Sequence, residues 1–192
     1  MKTAMKKSTI ILIAVGAVLA IILIWGIASY NGLVNAEVAV ETAESDLDVY
    51  LQRRSDLIPT LVNTVKGYAA YEEEVYTDLA EARAKLAGST TAEDKFEANE
   101  ELSSAISRLL VVVENYPELK ANTQFTALMD ELSGTENRIA TARKDYNSAV
   151  QEFNTKQRRF PTSIISGIFG FEKAPLYEAS EGAETVPSVD FN

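Results

Sequence analysis

Residues 10–28 form an uncharged run of nineteen residues, IILIAVGAVLAIILIWGIA, and this run constrains the chain more than any other feature. At 1.5 Å per residue, a helix of this length spans about 30 Å, the thickness of a bilayer's hydrocarbon core. Trp25 and Tyr30 lie at the far end of the run, where aromatic rings favour the membrane interface. We therefore predict a transmembrane signal-anchor over residues 9–30. A signal peptide cleaved after the small residues VNA at 34–36 is the alternative, which the length of the run disfavours.

The charges that flank this run predict the orientation of the chain. Lys2, Lys6 and Lys7 precede it, whereas the first charges after it are acidic, beginning with Glu37 and Glu41. By the positive-inside rule, residues 1–8 are a short cytoplasmic amino terminus and the remainder is extracytoplasmic. We expect a single-pass protein of a bacterial membrane, in contact with membrane lipid.

Composition excludes several classes of function. The chain has no cysteine and no histidine, so thiolate nucleophiles, disulfides, imidazole bases and the usual zinc shells are absent. With 28 acidic against 18 basic residues, no basic face is available for nucleic acid. We predict no catalytic residues, no cofactor and no metal site, and therefore a protein that is not an enzyme.

Apolar residues at three-four spacing predict helices throughout residues 31–160. Short polar links separate the segments, and no useful stretch alternates with period two. The fold class is therefore all-α: an N-terminal transmembrane helix that continues into an antiparallel, up-and-down four-helix bundle. The predicted seam residues are Leu33, Ala36, Val40, Ala43, Leu47 and Tyr50 in the first helix; Leu61, Val65, Tyr68, Val75, Leu79, Ala82 and Leu86 in the second; Phe96, Leu102, Ile106, Leu109 and Val113 in the third; and Phe125, Leu128, Leu132, Thr135, Ile139, Ala142, Tyr146, Ala149, Phe153 and Phe160 in the fourth.

Residues 51–69, LQRRSDLIPTLVNTVKGYA, place two arginines, an aspartate and a proline inside this pattern. A single helix over residues 31–87 would be about 85 Å long, too long for the later helices to cover. We therefore predict that Pro59 lies in a first helical turn capped by Ser55 or Asp56, at the corner between the first and second helices. A proline kink within one long helix is the alternative.

In an up-and-down bundle, the fourth helix returns residues 161–172 to the membrane. We predict that this apolar segment contacts the headgroup region through Ile164, Ile165, Ile168 and Phe169. The alternative is that these side chains close the open end of the bundle. Residues 173–192 are rich in Pro, Gly, Glu and Ser, which predicts a disordered acidic tail.

A polar stripe lies beside the seam of the fourth helix. Glu136, Arg143 and Asn147 share one face, and neither charge has an opposite charge three or four residues away. Their partners must come from another helix or another subunit. We predict a polar network or an interface, with a ligand site as the third possibility, formed by Arg53, Arg54, Asp56, Asn63, Lys66, Glu136, Asn137, Arg138, Arg143 and Asn147.

Several long motifs resemble the LemA family of bacterial membrane-anchored proteins. They are YNGLV after the anchor, LQRRSDLIPTLVNTVKGYA, ENYPELKANTQFTAL, ELSGTENRIATARKDYNSAVQEFN, and the closing RFP and GIFGF, which together cover residues 28–172. Departures from the family pattern are minor, at Thr60 and at Ala70 or Tyr71. The resemblance implies an antiparallel four-helix bundle with no catalytic residue, cofactor or substrate. It also implies an external amino terminus, contrary to the lysine count, which we follow here.

Taken together, these features predict a non-enzymatic scaffold or adaptor. The bundle would be held by one span, would assemble into a homo-oligomer, and would organise other envelope proteins or the membrane. The alternative is an extracytoplasmic sensor whose bundle interior binds a small ligand near Glu136 and Arg143.

Overall fold

The computed structural model describes residues 7–69 and 71–177, without the side chains of residues 7 and 8. Lys2, Lys6 and the rest of residues 1–6, Ala70, and the predicted tail from residue 178 onward lie outside the described residues. The described chain is all-α, as predicted, and contains no strand. Its helices are α1 (Lys7–Lys66), α2 (Glu73–Gly88), α3 (Ala92–Val113), α4 (Pro117–Lys120), α5 (Thr123–Arg158) and α6 (Thr162–Phe169).

The helices are divided between two compact units. The first unit combines Met1–Glu41 with Ala149–Ala174, and the second combines Thr42–Ser148 with Pro175–Asn192. Both α1 and α5 contribute to each unit, whereas α2, α3 and α4 belong to the second unit and α6 to the first.

The first unit contains a helix that is long and apolar enough to cross a membrane, near the amino terminus. Its large apolar side chains between residues 10 and 24 are all more than half exposed. Leu33 and Ala36 of α1 are buried in the same unit, as are Val150 and Phe153 of α5. The exposed run is what a helix surrounded by lipid requires, because its side chains have no protein core to enter.

Helix α1 continues through Pro59 to Lys66, so the predicted corner at Pro59 is wrong and the long-helix alternative is correct. The chain turns after Lys66 instead, where the Tyr68 and Ala69 amides bond the Val65 carbonyl at 2.9 Å. The polar stretch does not interrupt the stripe. The buried positions run without a break at intervals of four and three residues: Leu47, Leu51, Arg54, Ile58, Leu61 and Val65.

A side chain from α2 compensates for the hydrogen bond that Pro59 cannot make. Proline has no amide hydrogen, so the carbonyl of Ser55, four residues earlier, lacks its helical donor. Arg83 Nε donates to that carbonyl at 3.1 Å, and the Ser55 side chain is buried. An unsatisfied buried carbonyl would cost on the order of 1–3 kcal/mol, so the Arg83 hydrogen bond offsets part of the cost of a proline within α1.

Side-chain caps mark the beginnings of α3 and α5, whereas α2 begins at Glu73 without one. The Thr91 hydroxyl accepts a hydrogen bond from the Asp94 amide at 3.1 Å and so caps the amino terminus of α3. Asn122 caps α5 in the same way, through the amides of Gln124 and Phe125. The core of the second unit then forms from one face of each helix: Ile58, Leu61, Val65, Leu79, Leu86, Leu102, Leu109, Leu119, Phe125 and Leu132.

Most of the predicted seam is buried, with a few exceptions. Phe160 is 82% exposed because α5 ends at Arg158, two residues earlier than the position at which we expected a helical seam residue. Tyr68 is exposed because it lies in the turn after α1. Leu51 is buried where the spacing predicted Tyr50, which is half-buried.

The chain beyond α6 is ordered further than predicted. Gly170 ends α6 in the left-handed conformation, with φ of 74°, which glycine adopts without strain. In the first unit, the Asn154 amide bonds the carbonyl and the N–H of Ala174 at 2.9 and 3.0 Å. In the second unit, Tyr177 is buried. The prediction of a disordered tail is therefore wrong for residues 173–177. The side-chain amide of Asn154 holds Ala174, and that of Asn147 holds Tyr177.

The Arg83 contact predicts a measurable coupling with Pro59. We expect Arg83→Met to lower the free energy of unfolding by about 1–3 kcal/mol, since it leaves the Ser55 carbonyl without a donor. In a Pro59→Ala background the restored amide satisfies that carbonyl, and the same substitution should cost clearly less.

Wild type, Arg83→Met, Pro59→Ala and the double variant are unfolded chemically in detergent as full-length proteins. Circular dichroism monitors the loss of helix. Pro117→Ala is the matched control, because Pro117 occupies the first turn of α4, where proline is tolerated. Equal costs of Arg83→Met in both backgrounds would show that Arg83 does not replace the missing amide.

Candidate functional site

Arg54 lies within the buried seam of α1 and is 5% exposed. Its Nη1 donates to Asn99 Oδ1 and to Ser103 Oγ of α3, both at 3.0 Å. Asn99 is itself fully buried. A cation at this depth requires acceptors on the facing helix, because the cost of removing it from water is several kcal/mol.

Glu136 of α5 supplies the opposite charge, with Oε2 3.1 Å from Arg54 Nη1. Nη1 has only two hydrogens, and both point at α3, so this contact is an ion pair rather than a third hydrogen bond. Burial lowers the pKa of Arg54, Glu136 raises it and the nearby Arg143 lowers it. The prediction that Glu136 takes its partner from another helix holds for this pair.

Arg143 of α5 lies beside Glu100 of α3, with Nη2 and Oε1 3.1 Å apart. Its guanidinium also stacks on the ring of Tyr177, 4.2 Å from the ring centre. Phe96 approaches the same ring at 4.1 Å between centres. The partner of Arg143 is thus Glu100, which was not among the residues we expected.

Tyr177 is held by both its side chain and its backbone. Asn99 Nδ2 donates to its hydroxyl at 3.1 Å, and the hydroxyl donates to Glu100 Oε1 at 3.1 Å. Asn147 bonds the N–H and the carbonyl of Tyr177 at 2.8 and 2.9 Å. Asn147, one of the predicted polar residues, therefore fixes the extended segment of the chain that carries Tyr177.

Burial controls the protonation of the two tyrosines at this site. It raises the pKa of Tyr177 to about 12, an effect that Arg143 opposes. It also raises the pKa of Tyr146 to about 12, assisted by Glu44 and Glu93. The Tyr146 hydroxyl donates to the Pro175 carbonyl at 2.9 Å. Both phenols are neutral donors at physiological pH, and neither is prepared to act as a base.

We use the name charged cluster for Arg54, Glu136, Arg143, Glu100 and Tyr177. Its two cations and two anions balance, and Tyr177 covers Arg143. Arg54 Nε, Arg143 Nε and Arg143 Nη2 are nevertheless buried without an aligned hydrogen-bond acceptor. Arg143 Nη2 lies 3.1 Å from Glu100 Oε1 and so forms an ion pair with it. Its N–H does not point at that oxygen, so this contact is not a hydrogen bond. Such a cluster orients helices and contains no nucleophile with an adjacent base.

The remaining predicted polar residues lie on the surface. Arg53 pairs with Glu131 at 2.8 Å, with both side chains about half exposed. Asp56 accepts a hydrogen bond from Gln52, and Asn63 is exposed. Asn137 and Arg138 are also exposed. These residues are therefore not part of the charged cluster.

Arg53, Asn137 and Arg138 instead line two surface grooves between α1 and α5, with volumes of about 610 and 470 Å³. We call these together the α1–α5 groove. Its walls carry both signs of charge and the small residues Gly134 and Thr141, and its lining residues are Ala43, Asp46, Val49, Tyr50, Arg53, Ala127, Asp130, Glu131, Gly134, Thr135, Asn137, Arg138, Thr141, Ala142 and Asp145.

The predicted membrane-contact residues lie on α6 in the first unit. Ile164, Ile168 and Phe169 are exposed, whereas Ile165 is half-buried. Its Cδ1 lies 3.8 Å from the position a Cβ of Gly26 would occupy. Phe169 packs on Tyr30, with ring centres 4.7 Å apart. Ile165 and Phe169 thus contact protein, whereas Ile164 and Ile168 lack the burial that closure of a bundle end would require.

Sequence reasoning missed Asn99, Glu100 and Tyr177. Asn99 carried a signal, because it falls on the apolar face of α3 between Phe96 and Leu102, where a polar residue needs a buried partner. Tyr177 carried a weaker one, since Leu176 and Tyr177 are adjacent apolar residues in an otherwise polar tail.

The LemA family model matches residues 43–191, most of the chain and all of the charged cluster. The chain belongs to the LemA family. Magnetosome protein MamQ 2 of Paramagnetospirillum magneticum is 25% identical over 81% of this chain and 67% of its own length. MamQ of Magnetospirillum gryphiswaldense is 22% identical over the same shares. Protein LemA of Metamycoplasma hominis is 24% identical over 79% of this chain and 69% of its own length.

Two adjacent arginines of this LemA chain test the importance of burial. We expect Arg54→Ala to lower the free energy of unfolding by about 3–5 kcal/mol, since it leaves Asn99 and Glu136 without their buried partner. Arg53→Ala removes an exposed ion pair and should cost about 1 kcal/mol or less. Urea unfolding of both full-length variants in detergent measures the difference. Similar costs at the two positions would contradict the buried network.

The raised pKa of Tyr177 predicts an alkaline effect. The phenol ionises near pH 10 in the unfolded chain and at about 12 in the folded one, so its contribution is complete below pH 10 and is lost as the pH rises toward 12. Tyr177→Phe should be less stable at pH 8 by about 1 kcal/mol. Its difference from wild type should then shrink between pH 10 and 12.

Thermal unfolding across that pH range provides the measurement. Tyr71→Phe is the control, because Tyr71 is 97% exposed and should follow the wild-type curve throughout. A constant difference between Tyr177→Phe and wild type from pH 8 to 12 would rule out the linkage.

Proposed function

We propose that this protein is a membrane-anchored helical scaffold or adaptor that assembles with copies of itself. The observation that carries the proposal is that one helix, α1, provides both the candidate membrane span and one wall of the α1–α5 groove. An anchor and an interaction surface on the same helix suit a protein that gathers partners at a membrane. The anchor would place residues 1–8 in the cytoplasm, as the flanking lysines indicate.

The proposed architecture is an antiparallel four-helix bundle made of α1, α2, α3 and α5. The links between these helices are short, at residues 67–72, 89–91 and 114–122, the last containing α4. Short links favour antiparallel neighbours. The contacts of Arg54 with α3 and of Arg83 with α1 support this arrangement, since each joins two helices of the second unit.

The α1–α5 groove suits a second copy of the chain as its occupant. An isologous dimer places one surface against itself, so charges on that surface can pair across the interface only if both signs are present. Arg53 and Arg138 lie in the groove together with Asp46, Asp130 and Asp145. Val49 also lines the groove, is 63% exposed and adds apolar area. The charges are mixed along the groove, which makes it able to pair with its own copy.

Gly134 distinguishes the requirements of assembly from those of folding. A Cβ added at Gly134 meets no atom within 4 Å, so the fold of one chain does not require glycine there. A glycine within a helix costs about 1 kcal/mol relative to alanine. Close approach of a second helix in the groove would account for a residue that the single chain does not need.

The alternative function is a sensor that binds a small ligand near Glu136 and Arg143. Three buried guanidinium nitrogens without aligned acceptors favour it. Against it, Tyr177 lies over Arg143, and neither Glu136 nor Arg143 lines any of the four grooves found on the described residues. We therefore place the scaffold first.

Assembly is tested by a bulky side chain in the groove. We expect the wild-type chain, purified in detergent, to contain more than one copy per particle by light scattering. Gly134→Leu should reduce the copy number, because the new side chain fills the groove, while its helical content and unfolding midpoint remain at or above those of wild type.

Gly88→Leu is the matched control. Gly88 ends α2, and a Cβ added there also meets nothing within 4 Å. This variant should keep the wild-type copy number. A wild-type chain that remains monomeric at high concentration would overturn self-assembly, and equal copy numbers in wild type and Gly134→Leu would exclude the groove as the interface.

A further inference from the structure

We propose that α6 and the end of α5 form a second membrane contact, which binds anionic phospholipid. This inference rests on the proposed anchor, because it assigns the level of the bilayer from α1. It adds a lipid-binding surface, which we define as Arg158, Arg159, Phe160, Ile164, Ile168 and Phe169.

The position of α6 is fixed by contacts with the last turns of the candidate span. Ile165 packs at Gly26, and Phe169 and Phe171 both stack on Tyr30, with ring centres 4.7 and 5.9 Å apart. The apolar run ends at Ala28 and is followed by the polar residues Ser29, Tyr30 and Asn31. These contacts therefore hold α6 at the level where the hydrocarbon core meets the headgroups.

The face of α6 that points away from these contacts is apolar and uncovered. Ile164 and Ile168 are one helical turn apart and are 51% and 69% exposed. Phe169 contacts Tyr30 on one side and is still 59% exposed. Phe160 adds a ring that is more exposed still. Several large apolar side chains exposed on and beside one short helix are typical of an interaction site. Because it adjoins the span, lipid is the partner that its position favours.

The charge beside this face indicates the class of lipid. Arg158 and Arg159 are exposed at the end of α5, and neither forms an ion pair within the part of the chain that the structure describes. Lys156, by contrast, is paired with Glu152 at 2.8 Å. Guanidinium groups bind phosphate through two parallel hydrogen bonds. Two such groups beside an interfacial apolar helix suit an anionic phospholipid headgroup.

Fluorescence quenching in vesicles tests the contact, and the absence of cysteine makes single labelling straightforward. Full-length Ile168→Cys, Ile22→Cys and Gln151→Cys are labelled with an environment-sensitive dye and reconstituted in vesicles of brominated phosphatidylcholine and phosphatidylglycerol. We expect strong quenching at positions 22 and 168 and little at position 151, an exposed residue of α5 in the same unit.

The three positions separate the two proposals. If position 22 is quenched and position 168 behaves like position 151, the α6 contact is overturned and the anchor stands. If position 22 is not quenched, the anchor fails, and the α6 contact fails with it. A photocrosslinker at position 168 that captures protein rather than lipid would also overturn the inference.

The headgroup preference is tested with Arg158→Gln and Arg159→Gln in the Ile168→Cys background. In vesicles with phosphatidylglycerol, each substitution should lower the ratio of inserted to aqueous label roughly fivefold, the effect expected for one basic residue near an anionic surface. In pure phosphatidylcholine the two should have little effect. Lys120→Gln, an exposed control on α4, should change neither ratio. Equal ratios in both lipids for all variants would overturn the anionic preference.

Discussion

The burial of Arg54 is the constraint on which the rest of the second unit depends. A charged side chain occupies a seam position of α1, so the facing helices must bring acceptors to it. Asn99 and Ser103 do so from α3, and Glu136 does so from α5. A shift of any of these helices along its axis would leave the Arg54 guanidinium buried without its acceptors. Arg54 therefore fixes the register of three helices in a way that interchangeable leucines cannot.

Arg143 and Tyr177 extend the same arrangement to the end of the described chain. The segment that carries Tyr177 makes no helix, yet Asn147 bonds its backbone and Asn99 bonds its hydroxyl. The cluster is neutral as a whole and closed by its own aromatic ring. Such an interior is consistent with the proposals that the α1–α5 groove and α6 are the interaction surfaces.

Sequence periodicity predicted the helical class and most of the buried residues, because three-four spacing reflects burial directly. It placed the first turn of the chain wrongly. Pro59 indicates a helix break only where no other hydrogen-bond donor replaces its missing amide hydrogen. Arg83, 24 positions later, is that substitute, and local reasoning cannot see it. Because no opposite charge lies three or four residues from Glu136 or Arg143, the sequence indicates that each needs a partner outside its own helix. Arg54 is one of the partners that it predicts.

Glu100 and Tyr177 escaped prediction for a different reason. Glu100 was one of many acids on a helix surface, and nothing in the spacing marked it. Tyr177 lies in a stretch whose composition is that of a flexible tail, and only its contacts with Asn147 and Arg143 give it a fixed place. Composition describes a segment on average, whereas a single buried aromatic ring can hold several residues against a folded unit.

The bond between Arg83 and the Ser55 carbonyl has an evolutionary consequence. In a lineage that retains Pro59, substitution of Arg83 is destabilising. In a lineage that first replaces Pro59, the restored amide makes Arg83 dispensable for this bond. The order of loss is therefore directional, and homologues that retain the proline without a long donor at the arginine position should be scarce.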